Sequence, residues 1–153
     1  FAVCVGDAND NTGYRDELQH LVANLHIEDR VRFVGHCDNM PAAYLLSDIV
    51  VSATSTRPEA FGRIAVEAQA MQRPVIASAQ GGSLEIVLPG NTGWLVDPGN
   101  AESLASAMRE GLTNSALCKQ YGRAGRKWVL DNFTTERMCE KTIMVYRSLI
   151  SYS

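Results

Sequence analysis

The chain has 153 residues and a mass of 16.7 kDa, with 46% hydrophobic and 20% charged side chains, a composition that excludes a disordered or fibrous protein and suits one ordinary domain. Fourteen basic against 17 acidic residues leave a net charge of -3, without the basic excess of a nucleic-acid binder, so neither DNA nor RNA is an expected partner. No apolar run approaches the roughly 20 residues that span a bilayer, and Phe1 opens a strand-like run with no charged leader before it, so the expected chain is soluble and cytoplasmic.

Short β-branched runs alternate with segments of helical periodicity, the pattern of a parallel sheet covered by helices. Strands are expected at Phe1 to Val5, Val31 to Gly35, Ile49 to Ala53, Pro74 to Ser78 and Gly93 to Val96. Between the first two, Tyr14, Leu18, Leu21, Val22 and Leu25 form an amphipathic stripe after a loop running to Gly13. Shorter helices are expected over Met40 to Ser47, over Arg63 to Met71 ahead of Pro74, and over Leu84 to Leu88 with Ser83 as cap. Beyond Val96 three helices follow, with faces at Leu104, Ala105, Met108 and Leu112; at Leu117, Tyr121, Ala124 and Trp128; and at Met138, Thr142, Val145 and Leu149. Thr134 is the expected cap of the last, with Glu136 in its first turn. The expected fold class is α/β, a Rossmann-like doubly wound parallel sheet of about five strands with C-terminal helices, in a single domain over residues 1–153.

Cys4, Cys37, Cys118 and Cys139 are far apart and lack metal-ligand or Cys-x-x-Cys spacing, so free thiols in a reducing compartment are expected. His36, Cys37 and Asp38 are consecutive and should point in diverging directions, which argues against a metal there. Charge is unevenly spread: residues from Lys119 onward carry seven basic and three acidic side chains, net +4, and residues 1–118 carry net -7. A basic amphipathic tail suits an anionic membrane surface, but a solvated helix face or a surface packed on another domain is the favoured reading.

The chemistry is concentrated between Ser52 and Gly82, where a loop leads from a strand into a helix beginning near Gly62, and the next strand ends in Gly81-Gly82. Ligands of open α/β sheets lie at such strand ends, with a helix N-terminus facing an anion, and the glycines would let a ligand approach the backbone. Glu59 and Glu67 frame this loop. Eight residues apart on a helical rise, they stand on the order of 12 Å apart. A glycosidase acid/base pair stands about 5 to 9.5 Å apart, so these two suit separate hydroxyl groups of an extended ligand such as a nucleotide sugar.

The run PEAFGRIAVEA, followed by MQRPVIAS, GG, Glu85 and TGWLVDPGN, and preceded by RVRFVGHCDNMPAAYLLSDIVVSA, resembles the C-terminal, donor-binding half of group 1 (family 4) retaining glycosyltransferases of the GT-B fold. The likeness extends from Val3 to about Trp128. It implies that Glu67 holds the donor ribose hydroxyls and that Glu59, the candidate catalytic residue, contacts hydroxyls of the transferred sugar. It further implies that backbone N–H groups of Ala60, Phe61 and Gly62 lie near the sugar and diphosphate, that Gly35 and His36 border the nucleobase, and that Gly6 lines the phosphate side. Alternatives remain for each: an exposed helix residue for Glu67, a dipole-complementing carboxylate for Glu59, a plain turn for Gly81 and Gly82, and a strand-ending glycine for Gly6.

The activity implied is transfer of a sugar from a nucleotide diphosphate donor to an acceptor hydroxyl with retention, in polysaccharide or glycolipid synthesis. No metal is expected, since the chain has no Asp-x-Asp motif, and no cofactor besides the donor substrate. The family neutralises the leaving diphosphate with an Arg and a Lys on the first strand-helix unit of this half, which the chain lacks as read from Phe1. The N-terminal acceptor domain, the implied partner, is also absent. The chain alone is therefore expected to be inactive and the parent protein to be cytoplasmic, with peripheral contact at the inner face of a membrane as a further expectation. Gln72 stands where the family has a glycine, which could alter the helix cap, and Arg57 is a second departure beside the key loop. A non-catalytic nucleotide-sugar binding module is the alternative function. A dinucleotide oxidoreductase would need Gly-x-Gly-x-x-Gly after a strand, and Gly6 is followed by Asp7-Ala8-Asn9-Asp10-Asn11-Thr12-Gly13.

Overall fold

A computed structural model describes residues 1–6, 12–55 and 58–150; Asp7 to Asn11 and Arg57 lie outside the described residues. The chain divides into two compact units, Phe1–Met40 and Pro41–Ser153.

The first unit pairs β1 (Ala2–Val5) with β2 (Val31–Gly35) in parallel, Ala2 opposite Val31, with a register shift between Cys4 and Val5 that brings Val5 opposite Gly35. The crossover carries α1 (Thr12–Asn24), so Gly13 lies inside a helix and not at the end of the expected loop. Along its stripe only Leu18 and Val22 are half-buried, while Tyr14, Leu21 and Leu25 are exposed.

The second unit follows α2 (Met40–Leu46) with β3 (Val50–Ser52), α3 (Arg63–Ala70), β4 (Val75–Ser78), α4 (Ser83–Ile86), β5 (Gly93–Val96), α5 (Ala101–Thr113), α6 (Ser115–Asn132) and α7 (Thr135–Ile150). Its sheet is parallel in the order β3-β4-β5, with Val50 opposite Val75 and Val75 opposite Gly93. The five expected strands therefore all form in parallel pairs, two in one unit and three in the other. β4 is central and buried along its whole length, which is why Val-Ile-Ala-Ser reads as an unbroken small and β-branched run. Ile76, Trp94, Val96, Ala107 and Tyr121 make the core, where the Trp94 and Tyr121 rings meet edge to face with centroids 4.8 Å apart. Trp94 keeps its indole N–H satisfied on Glu110 Oε2 at 2.9 Å.

Side-chain caps set the later helix starts. Asn100 Oδ1 accepts from the Ser103 N–H and Asn114 Oδ1 from the Leu117 N–H, each at 3.0 Å. Thr134 caps α7 as expected, its hydroxyl accepting from the Arg137 N–H at 3.3 Å. At α4 the expectation fails: the helix starts at Ser83 itself and Gly82 occupies the cap position without a side-chain bond. The face of α7 at Met138, Val145 and Leu149 is exposed, and no residue of that helix is buried. All four cysteines are free thiols. Among the described residues no helix is long and apolar enough to cross a membrane.

Candidate functional site

The site is built at the start of α3. Gly62 precedes it with φ 78, a left-handed conformation that a side chain would strain, and a Cβ there would also press on Ile86 Cδ1 at 3.1 Å. The turn directs Glu59 back onto the helix, where its Oε1 accepts from the Arg63 backbone N–H at 3.2 Å. That bond satisfies one of the unpaired donors of the first turn and sets a negative charge at the positive end of the helix dipole.

Glu67 sits one turn into α3. Its Oε1 accepts from Arg63 Nη2 at 3.0 Å, and its Oε2 accepts from the Tyr44 hydroxyl on α2, also at 3.0 Å. Arg63 thus serves both glutamates, one through its backbone and the other through its guanidinium. The Glu67 side chain is 37% exposed, so its carboxylate is oriented by the protein yet open to solvent. Burial pushes the Tyr44 phenol well above the ordinary tyrosine range; the hydrogen bond to Glu67 and the negative charges of Glu67 and Glu59 push the same way, against Arg63. Tyr44 therefore stays a donor across the physiological range.

Gly81 and Gly82 owe their type to the loop itself. A Cβ on Gly82 would fall 2.4 Å from the Phe61 carbonyl oxygen, and one on Gly81 would fall 2.3 Å from the Glu59 carbonyl oxygen. The Gly82 N–H donates to that Glu59 oxygen at 2.9 Å. Residues 59–61 of the same chain thus pack directly on the two glycines. Phe61, half-exposed, is held from its other side by Phe133, edge to face at 6.1 Å. Ala60 is exposed and Gly62 buried.

Gly6, Gly35 and His36 belong to the first unit. The Gly6 N–H donates to Gly35 O at 2.9 Å, which places both at the carboxyl ends of the paired strands, and a Cβ on either would meet open space. His36 Nε2 lies 2.9 Å from Asp38 Oδ1. The two side chains converge, contrary to the divergence expected of these neighbours in sequence. Among the described residues no three His, Cys, Asp or Glu side chains gather as a metal-holding group.

The sequence reading missed Tyr44 and Arg63. Arg63 stands four positions before Glu67, a spacing that brings side chains together on a helix and would have exposed the pair. Tyr44 carries no such local signal, since its contact with Glu67 spans 23 positions. Gln72 adopts φ 58, so the left-handed turn is kept without a glycine.

Residues 1–128 match the family described as glycosyl transferases group 1. The chain is similar to the N-acetyl-alpha-D-glucosaminyl L-malate synthase of Bacillus anthracis, 32% identical over 133 residues that cover 87% of this chain and 34% of that protein. It is also similar to the GDP-mannose-dependent alpha-(1-6)-phosphatidylinositol monomannoside mannosyltransferase of Mycolicibacterium smegmatis, 31% identical over 127 residues, 78% of this chain and 33% of that one. The chain spans about a third of the length of these relatives. Among solved structures, a glycosyltransferase from Rickettsia africae superposes with a TM-score of 0.91 at 33% identity, over 100% of this chain and 41% of that one. Anabaena HepE in complex with UDP and glucose gives 0.89 at 29% identity, over 96% of this chain and 40% of that one. With most of its length matched and its fold shared, the chain belongs to the group 1 glycosyltransferase family and carries the α/β architecture of the GT-B enzymes.

Proposed function

We propose that this chain is the donor-binding part of a retaining glycosyltransferase that takes a nucleoside diphosphate sugar. The observation that carries the reading is Glu67, an accessible carboxylate fixed on both oxygens by Tyr44 and Arg63. Each carboxylate oxygen accepts more than one hydrogen bond, so the two bonds in place leave capacity for a vicinal diol, and the orientation is set before the ligand arrives. Glu59, one loop away at the helix N-terminus, is suited to hydroxyls of the transferred sugar. The diphosphate between them would lie over the first turn of α3, with the backbone of Ala60, Phe61 and Gly62 beside it and Gly81 and Gly82 buttressing the loop. Gly35 and His36 are assigned to the nucleobase and Gly6 to the phosphate side.

In the reaction, the bond from the anomeric carbon to the diphosphate oxygen breaks, the bond to the acceptor oxygen forms on the same face, and the acceptor hydroxyl's proton passes to the departing diphosphate oxygen. Charge grows on the leaving diphosphate, where the positive end of α3 stabilises it. Donors of the UDP-sugar and GDP-sugar classes both fit this scheme. Catalysis is assigned to a longer protein in which an acceptor-binding domain joins this one, and the chain alone is expected to bind the donor without turnover. The relatives' threefold greater length and the bare apolar face of α7, which suits packing on such a domain, support that division.

Titration calorimetry with UDP, GDP, ADP and their sugar forms tests the assignment. Glu67→Ala should weaken every nucleotide by about 1.5 to 3 kcal/mol per lost bond, while Glu59→Ala should weaken the sugar-bearing forms and spare the bare nucleotide. Equal affinity of parent and Glu67→Ala for all of them would sink it.

A further inference from the structure

The far end of α3 opens onto a cleft of about 450 Å³ that the donor reading does not use. α3 is eight residues long, which puts the cleft on the order of 12 Å from the loop at Gly62. Arg73, Lys119, Arg123 and Arg126 line it, with Met71 and Gln72 between them and no carboxylate in the lining. Three of the cations stand on one face of α6 at positions i, i+4 and i+7, a spacing at which like charges repel.

Two of the four have structural duties. Arg73 Nη2 donates to Leu45 O at 2.7 Å, and Arg126 Nη1 donates to Ala70 O, so the closing carbonyls of α2 and α3 are satisfied. These bonds fix the guanidinium groups without neutralising them. Arg73 Nε is buried with no acceptor, a donor for which the protein supplies nothing. Lys119 and Arg123 are exposed and take part in none of the ion pairs among the described residues. The frame beneath is tight: a Cβ on Gly122 of α6 would stand 2.1 Å from Gln72 O. α6 therefore lies directly against the turn that leads from α3 to Arg73.

We propose that this cleft binds a phosphate group. Three arginines and a lysine lining one cleft with no carboxylate among them match the several oxygens and the negative charge of a phosphate group better than the single plane of a carboxylate. The cavity has room for the phosphate and a small organic body. Such a group reaches the cleft on a soluble phosphorylated molecule or on the headgroup of an anionic phospholipid.

The Lys119→Gln/Arg123→Gln double variant removes the two unpaired cations and leaves both capping arginines in place. Pyrophosphate titrated at low ionic strength should bind the parent and Glu67→Ala alike and the double variant at least about tenfold more weakly. Sedimentation with phosphatidylglycerol and phosphatidylcholine vesicles separates the sources: capture of the parent by the anionic vesicles alone, lost in the double variant, with no response to pyrophosphate, assigns the lipid headgroup. Mass spectrometry of acetylated and phenylglyoxal-treated parent gives a measure that needs no variant. Pyrophosphate or anionic vesicles should shield Lys119 and Arg123 more than Lys141 and Arg137. Uniform shielding, a parent that binds neither probe, or a double variant that binds as the parent does overturns the proposal. The donor assignment is independent of each of these results.

Discussion

The Tyr44 hydroxyl donates a 3.0 Å hydrogen bond to Glu67 Oε2, tying α2 to α3 through the carboxylate assigned to the donor ribose. Tyr44→Phe keeps the buried ring and removes only that donor. Nucleotide affinity should fall roughly three- to tenfold, the worth of one net hydrogen bond of about 1 kcal/mol. Calorimetry with UDP and GDP reads it. Unchanged affinity would mean that Arg63 alone orients Glu67.

The same phenol gives a pH dependence. Its folded pKa is raised above the unfolded value of about 10, so the unfolded chain loses its proton first as pH rises. The contribution is fully present below that value and lost above it. Tyr121, raised by burial and by Glu110, acts in the same sense, and Cys118, raised by burial and by Asp48, begins lower, in the thiol range. Urea unfolding between pH 8 and 11 should show stability falling toward alkaline pH, and Tyr44→Phe should flatten the upper part of that fall. A variant with the parent's slope would remove Tyr44 from the account.

Gly82→Ala drives a methyl group into the Phe61 backbone, with the new carbon 2.5 Å from the Phe61 carbonyl carbon. Backbone cannot rotate aside as a side chain does, so the cost should reach about 1 to 3 kcal/mol or more and displace the Glu59 to Gly62 loop. Thermal unfolding measures the first effect. Donor affinity should fall beyond what the loss of stability explains.

Gln72→Gly should stabilise the protein. Gln72 is held at φ 58, which costs an L-residue about 1 to 2 kcal/mol, and the freer unfolded chain of a glycine takes back about 0.4 to 1 kcal/mol. A net gain of about 0.5 to 1 kcal/mol in denaturant unfolding is expected. A loss would show that the Gln72 side chain contributes more than its backbone costs.

Strand positions, and the packed face of α6 at Tyr121, were legible because periods of two and of 3.6 are written in neighbouring residues, whereas the stripes read on α1 and α7 are largely exposed. Val75 to Ser78 is the clearest case, since a strand buried on both faces needs an unbroken run. The partition of the strands into sheets of two and three was not legible, because no strand names its neighbour. At the candidate site, the spacing of the loop and helix made Glu59 and Glu67 legible as two carboxylates framing the start of α3. The packing of the glycines was not legible: the sequence marks where a backbone must come close, without saying that the chain's own Phe61 does so. Ser83 lost the cap to Gly82 because the Gly82 carbonyl already accepts from the Glu85 and Ile86 N–H groups, which starts the turn one residue early.

With no buried residue, α7 has little to hold it except its own hydrogen bonds and the Thr134 cap. Its opening is therefore uncoupled from that of β4, whose side chains are all buried. In heavy water the amides of α7 should exchange well before those of β4. Each local opening frees the backbone of the already exposed run Ile143-Met144-Val145-Tyr146 to adopt an extended form able to pair with another copy of itself. The isolated chain is thus expected to begin aggregating from its last helix while its sheet is still intact, and a charge placed at Val145 should delay the onset without shifting the main unfolding transition.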